Sequence, residues 1–405
     1  MCCAIPAYAA EAAPAWEGIL TAEGASRFVV ANGAEGEPGT FKDRYLLRRN
    51  PYAVLEGLLI ATQVIGAERA YLGLKEAFHR ERESLSHALA EFRSLTELAD
   101  KIEVVLGSDE YLLGEEKALL EVIEGGLPLP RVLPPYMHGL FAGSYGGAET
   151  NPTVVNNVET LAFVPGIVRN GASWFRSLGS EDTPGTMIFT VCGDVRRPMV
   201  EELPLGLTLR ELIYDVAGGP KRGQKLKAIF PGLANGVLTP DGLDARLGFD
   251  SMRSAGASLG SAGFIVYDDS ACMVQVAYLF SRFLHVESCN QCPPCKLYSG
   301  QITEALERLL AGIGSHDDIE QIQDAAATVE DGQRCYLPTS ERSAVTSIMA
   351  AFIEDFGHHI APGHCELNHN IELPKIVDYS EVDGFTFDPL YSRKQPDWTY
   401  ALAAV

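Results

Sequence analysis

Arg27-Phe28-Val29-Val30-Ala31 runs straight into Asn32-Gly33-Ala34-Glu35-Gly36-Glu37-Pro38-Gly39. The first five residues read as a short buried strand, and the next eight as an acidic, glycine-rich turn. Downstream, Pro51 to Ala67 reads as a helix, with proline in its first turn and Gly66 near its end. Lys101 to Leu106 is a second strand candidate, followed by a loop and a helix over about Glu115 to Glu124. Strand, loop and helix in alternation predict an α/β layer architecture for residues 1-183.

A second pattern starts near Pro184. Met187 to Cys192 is apolar and β-branched, Gly193-Asp194 turns, and Pro198 to Leu203 returns. Thr208 with Glu211 forms a capping box ahead of a short helix that stops before Gly218-Gly219. Leu226 to Phe230 and Phe264 to Tyr267 supply further strands, so 184-268 is expected to be a small β-grasp domain. From Ala271 the period turns helical. Ile302, Leu306, Leu309, Leu310 and Ile313 share a face, as do Ile319, Ile322, Ala326 and Val329, and then Val345, Ile348, Met349, Phe352, Ile353 and Phe356. With the apolar Cys272 to Leu284 they predict a four-helix bundle over 269-361, leaving an irregular tail over 362-405.

Glu287-Ser288-Cys289-Asn290-Gln291-Cys292-Pro293-Pro294-Cys295 places three thiols within seven residues. A tight loop of this spacing can wrap three corners of a cubic cluster; Pro293 and Pro294 stiffen it, and Asn290 tolerates a left-handed turn. Cys335, after the third bundle helix, supplies the fourth corner, so one 4Fe–4S cluster on Cys289, Cys292, Cys295 and Cys335 is expected. A zinc site or reduced structural thiols are the alternatives, although zinc sites usually pair cysteines in two separated knuckles. Cys192 and Cys272 read as small buried hydrophobes, and Cys2 and Cys3 as lying on a frayed end. His358, His359, His364, Cys365 and His369 could hold a metal, but a solvated histidine-rich loop is the commoner outcome.

The chain has 405 residues, 46% of them hydrophobic, and a formal net charge of -22. That surface repels nucleic acid, whose non-specific binding rests on Lys and Arg. The longest apolar stretch is too short and too interrupted to insert in a membrane, and the N-terminus lacks the basic start of a secretory signal. Nine cysteines, mostly clustered, favour metal ligation in a reducing compartment, with the cytoplasm as the default.

Three further segments have the composition of a cofactor site: the acidic turn at Asn32, then Tyr111-Leu112-Leu113-Gly114-Glu115-Glu116, then Asn156-Asn157-Val158-Glu159-Thr160. Singly each is explained by turn chemistry, helix-dipole carboxylates or a cap. Together, NGAEGEPGTFKDR (Asn32 to Arg44), Gly114-Glu115-Glu116, PTVVNNVETL (Pro152 to Leu161) and ESCNQCPPC with the distant Cys335 occur in one order. In this the chain, from about Phe28 to Trp398, resembles the NADH-binding flavoprotein subunit of respiratory complex I and of the related NAD-linked hydrogenases and formate dehydrogenases.

The resemblance implies a Rossmann-like FMN/NADH domain, a β-grasp domain of the soluble-ligand-binding type, and a helical bundle carrying the cluster. It implies an NADH dehydrogenase subunit, for quinone or another acceptor, that passes a hydride from NADH to FMN and then single electrons to the cluster. Asn32, Glu35, Tyr111, Gly114, Glu115, Glu116, Asn156, Asn157 and Thr160 would line the flavin and nicotinamide pocket, and Glu37 would bond an NADH ribose. The implied partners are a small 2Fe–2S subunit of thioredoxin fold and a larger redox subunit, in the cytoplasm or at the inner face of the membrane. The family's glycine-rich FMN-phosphate loop has no match before Phe28, an aspartate is replaced by Ala34, and a lysine by Leu133. These departures predict an N-terminally incomplete domain with weakened FMN binding, or a paralogue that serves as a non-catalytic iron–sulfur relay or scaffold.

Overall fold

The structure, a computed structural model, describes residues 16–21, 26–143, 150–360 and 365–401. It divides into two compact units, Met1–Gly36 with Phe41–Leu178, and Glu37–Thr40 with Gly179–Val405. Cys2, Cys3 and His364 lie outside the described residues.

The first unit runs α1 (16–21), β1 (Phe28–Asn32), α2 (Lys42–Arg49), α3 (Pro51–Ile65), β2 (Arg69–Lys75), α4 (His79–Leu95), β3 (Ile102–Gly107), a tight turn at Tyr111–Gly114, α5 (Glu116–Ile123), β4 (Thr153–Asn157), α6 (Val158–Asn170) and α7 (Ala172–Arg176). Its sheet is wholly parallel, in the order β3-β2-β1-β4. Successive side chains of β1 point to opposite faces. Val29 and Ala31 enter one core with α3 and α4, while Phe28 and Val30 enter another with Leu113, Leu119 and Leu120. Both faces are covered, as a parallel sheet requires. Helix α3 has the expected ends: Asn50 accepts from Ala53 N, Pro51 opens the first turn, and Gly66 closes it at φ 67°. Sequence reading finds two strands here and the structure has four. Strand β2 lacks a clean two-residue period, and β4 carries the amides that read as ligand donors.

The second unit begins with a mixed sheet of β5 (Thr186–Gly193), β6 (Met199–Pro204), β7 (Leu226–Pro231) and β8 (Gly263–Asp268) in the order β6-β5-β8-β7. The Thr208/Glu211 box forms: Thr208 N donates to Glu211 Oε2 (2.7 Å) and Glu211 N to Thr208 Oγ1 (3.2 Å). Helix α8 (Phe249–Ser254) precedes β8, and α9 (Met273–Glu287), α10 (Pro293–Leu310), α11 (His316–Thr328), α12 (Leu337–Ala351) and the short α13 (Ile353–Gly357) follow. Ile302, Leu306, Leu309, Ile322, Val329, Val345 and Ile348 are all fully buried.

Two expectations need correction. The helical period puts Ile313 and Ile353 on buried stripes, yet both are more than half exposed. Helix α10 ends at Leu310, ahead of Gly312 at φ 73°, and Phe352 breaks the helical path between α12 and α13, so the 3.6-residue period does not carry across. The tail is also ordered: β9 (Ile376–Ser380) and β10 (Gly384–Phe387) form an antiparallel hairpin. Beyond it, Lys394 bonds both oxygens of Glu287 at 2.9 and 3.1 Å, and Trp398 Nε1 donates to Val286 O.

Candidate functional site

In the order β3-β2-β1-β4 the chain steps outward from β1 through β2 to β3 and then crosses back to set β4 on the other edge of β1, so the strand order reverses at the β1–β4 pair. A parallel sheet leaves its ligand crevice beyond the carboxyl ends of the strands at such a point. Asn32 ends β1 and Asn157 ends β4, and the two are register partners. Asn32 Nδ2 donates to Gly114 O (2.8 Å), which draws the Tyr111–Gly114 turn to the same rim. Thus Asn32, Tyr111, Gly114, Glu115, Asn156, Asn157 and Thr160, far apart in sequence, are gathered at one end of the sheet, all buried.

Much of their polar capacity holds the rim itself. Asn157 caps α6 through Glu159 N (3.0 Å), accepts from Lys42 Nζ (2.9 Å) and donates to Asp43 Oδ2 (2.8 Å). Asn156 Oδ1 accepts from Trp16 Nε1 at 2.7 Å. Glu35 accepts from Asp43 N (3.2 Å) at the start of α2, and Glu115 accepts from Ala118 N (2.9 Å) to cap α5. Burial first, and then Asp43, pushes the Glu35 carboxyl up to about 8. Burial, seconded by Glu115, takes Glu116 to about 7. The acidic rim therefore carries less charge near neutrality than its composition suggests. Burial alone would lower the Lys42 ammonium, but Asp43, Glu159 and Glu35 more than offset it.

Glu37 belongs to the second unit. Its Oε1 accepts from Leu233 N at 2.9 Å, and a Cβ on Gly232 would lie 2.6 Å from that oxygen, so glycine makes the approach possible. Gly39 N donates to Pro374 O, and Thr40 Oγ1 meets Ser261 Oγ at 2.7 Å. One continuous acidic turn in the sequence is thus divided between two folding units.

The donor set fits part of a flavin. Amides, a hydroxyl and backbone beside Gly33, Gly36 and Gly114 suit an isoalloxazine ring and a ribityl chain. Among the described residues, the same loops present carboxylates to a phosphate; buried Lys42 is neutralised by Asp43 and by Glu159 at 3.1 Å, buried Arg44 pairs with Glu81, and Lys75, which reaches the turn at Gly36, donates to Asp109 O. Ala34 packs in the apolar cluster with Phe28 and Leu113, and Leu133 is exposed. Neither takes up the missing charge.

The cysteine loop lies between α9 and α10. Asn290 adopts φ 63°, the left-handed turn expected of it. Cys292 is the residue before α10, Pro293 and Pro294 open that helix, and Cys295 stands in its first turn; Cys335 precedes α12, with Pro338 in its first turn. Two helix amino ends therefore flank the cysteine positions, which favours an anionic thiolate cluster. Ser288 Oγ is 3.3 Å from Cys295 Sγ, and Lys296 donates to the carbonyls of His285, Ser288 and Pro396. Burial raises the thiols of Cys289 and Cys295, the latter to about 12, so cluster assembly must release protons. The donor chemistry and the loop conformation fit a 4Fe–4S cluster.

Sequence reading misses several positioning residues. Lys42 and Asp43 read as part of a polar loop, yet are buried beneath the rim. Trp16, which donates to Asn156, has no signal around it in the sequence. Glu341, fully buried on α12, accepts from Ser281 Oγ on α9, which in turn meets Thr303 Oγ1 on α10. Of these only Glu341 carries a signal in the sequence, a charged residue one turn ahead of Val345 on that helix's apolar stripe.

Comparison with known proteins gives three family matches: the Nuo51 FMN-binding domain over residues 11–166, the SLBB domain over 188–238, and the NADH-ubiquinone oxidoreductase-F iron-sulfur binding region over 275–359. One of the NADH-quinone oxidoreductase F subunits of Rhizobium meliloti is 37% identical over 360 residues, 86% of this chain and 84% of that one. The corresponding F subunit of Mycobacterium tuberculosis H37Rv is 36% identical over 84% of this chain and 77% of its own length. Among solved structures, an NAD+-reducing NiFe-hydrogenase in the H2-reduced state superposes with a TM-score of 0.77 at 33% identity. The match covers 88% of this chain and 60% of the hydrogenase chain. The chain belongs to the family of NADH-quinone oxidoreductase F subunits, electron-transferring NADH dehydrogenase components with an FMN-binding domain and a 4Fe–4S binding region.

Proposed function

We propose that this chain takes electrons from NADH in its first unit and releases them singly, through the cluster at Cys289, Cys292, Cys295 and Cys335, to a partner subunit. When bound, FMN supplies the exchange between hydride and single-electron chemistry, and the cluster supplies the one-electron relay. The pairing of Asn32 with Asn157 at the switch point supports this reading most strongly, because it sets both amides where the fold admits a ligand. Asn32, Asn156, Asn157 and Thr160 orient the ring and ribityl chain; Tyr111 and Gly114 form the adjoining wall. Glu35, Glu115 and Glu116 set the field around the reacting atoms. The segments 1-183, 184-268, 269-361 and 362-405 act as nucleotide domain, β-grasp domain, cluster bundle and tail.

The acceptor is a small 2Fe–2S subunit of thioredoxin fold, with a larger redox subunit beyond it, in the cytoplasm or at the inner face of a membrane. No helix among the described residues is long and apolar enough to cross a membrane. The test uses Glu116. Its carboxyl ionises near 7, and the anion repels the NADH diphosphate, so the KM for NADH in ferricyanide reduction should rise as pH passes about 7. Glu116→Gln should remove the part of the rise centred near pH 7 and leave the part near 8 to which Glu35 contributes. An unaltered pH profile in the variant would remove Glu116 from the nucleotide site, and absent NADH oxidation in FMN-supplemented wild type would overturn the whole reading.

A further inference from the structure

At the opposite end of α9 from the cysteine loop, four side chains converge: Cys272, His359, Cys365 and His369. Their ligand atoms all lie within 4.8 Å of one another. Cys272 Sγ and His359 Nε2 are 3.2 Å apart, and the His359 and His369 rings stand with centroids 5.2 Å apart. The sequence suggests a solvated histidine loop and an inert Cys272. Instead His359 and Cys272 are buried, Cys365 is nearly so, and His369 closes the group from the surface.

We propose that these four residues bind one zinc ion in a closed, structural Cys2His2 site distinct from the iron–sulfur cluster. Tetrahedral zinc, with Zn–S of about 2.3 Å and Zn–N of about 2.0 Å, puts ligand atoms about 3.3–3.8 Å from each other. The observed group needs shifts of about an ångström or less to reach that geometry: the widest separations close from at most 4.8 Å, and the Cys272–His359 pair opens slightly from 3.2 Å. The support around the ligands is also in place. His359 Nδ1 lies 3.2 Å from Leu309 O; donating there fixes the tautomer and leaves the Nε2 lone pair facing Cys272. His369 is brought in by its neighbour Asn368, which bridges to Ala271: Asn368 N donates to Ser270 O (2.8 Å) and Cys272 N to Asn368 O (3.2 Å). Lys227 and Met273 N both bond Asp355 Oδ2, which steadies the start of α9 beside Cys272.

A single ion fits better than a two-iron centre of the Rieske kind. There the cysteines hold one iron and the histidines the other, which would separate Cys272 Sγ from His359 Nε2 far beyond the observed 3.2 Å. Two thiolates and two neutral imidazoles balance the charge of a divalent ion, and both thiols lose a proton as it binds. With all four positions taken by protein, the ion has no place for substrate and serves to tie the tail to the bundle. Helix α9 spans 15 residues, about 22 Å, so the two metal centres would stand at its two ends.

The experiment is metal analysis and zinc X-ray absorption on the anaerobically purified, cluster-loaded chain, with zinc chloride in the growth medium. We expect about one zinc beside about four iron per chain, with two sulfur and two nitrogen neighbours around the zinc. In His369→Ala, at an exposed position, and in Cys365→Ala with His369→Ala, zinc should fall at least about tenfold while iron and labile sulfide stay at wild-type levels. Cluster-loaded wild type without zinc, zinc undiminished in the double variant, iron well above four in place of zinc, or a Cys272–Cys365 disulfide in the purified chain would each overturn the assignment.

Discussion

Replacing Lys394 with methionine should destabilise the cluster bundle more than its place in the tail would suggest. Its ammonium bonds both carboxylate oxygens of Glu287, at 2.9 and 3.1 Å, with both side chains almost wholly buried. Tyr391 Oη donates to the same carboxylate at 2.9 Å, so the tail encloses Glu287 from two directions. Truncating one partner of such a pair leaves the other charge buried without its countercharge, a loss of about 3–5 kcal/mol. Spread over a unit of this size, that lowers the melting temperature by about 10 °C. Glu287 immediately precedes Ser288 and Cys289, so the cluster should also bleach sooner on heating than the far-ultraviolet signal melts. Circular dichroism and visible absorbance, followed together on the anaerobic protein, measure both. Pairing Glu287→Gln with Lys394→Met should recover most of the loss, because no stranded charge remains. A single Lys394→Met variant melting within about 2 °C of wild type would refute the reasoning, since a buried pair cannot be broken at that cost.

Cys335→Ser should lose or degrade the cluster, with iron and labile sulfide falling well below about four per chain by chemical assay. Burial raises the Glu341 carboxyl to about 8 in the folded state. The stability tied to that group is therefore full below the ordinary carboxylate pKa of about 4.5 and is lost as pH rises through about 8. In Glu341→Gln the decline in urea midpoint between about pH 5 and pH 8.5 should be smaller than in wild type, though not abolished, because Glu35 titrates in the same direction. Gly57→Ala should destabilise the first unit by at least about 1–3 kcal/mol in denaturant titration, since its Cβ would sit 1.9 Å from Leu161 O and force α3 from α6. It should lower NADH oxidation as well, because α6 starts from Asn157.

The elements legible in the sequence are those with local signals. Strand β1, the Gly66 helix end, the Thr208/Glu211 box and the left-handed Asn290 are each dictated within a few residues. The pocket residues are recognisable as types at the right positions, but most of them gather only because β1 and β4 are neighbours, and that register is a long-range fact. What a residue's period cannot show is where a helix ends, which is why it misplaces Ile313 and Ile353. Nor can it show a tail folded back on the bundle: Lys394 and Glu287 are 107 residues apart, and neither announces the other. The Cys272 group is split the same way, with one ligand reading as a core residue and the others as a surface loop.

The central claim, that electrons from NADH reach the cluster within this chain, is tested most directly by electron paramagnetic resonance. Anaerobic protein, supplemented with stoichiometric FMN, is mixed with NADH and frozen, and the reduced 4Fe–4S signal is compared with that produced by dithionite. The account predicts that NADH generates the same signal, and that Cys335→Ser abolishes it while NADH-dependent flavin bleaching persists. A cluster that dithionite reduces but NADH leaves silent, with FMN present and its potential within reach, would contradict it.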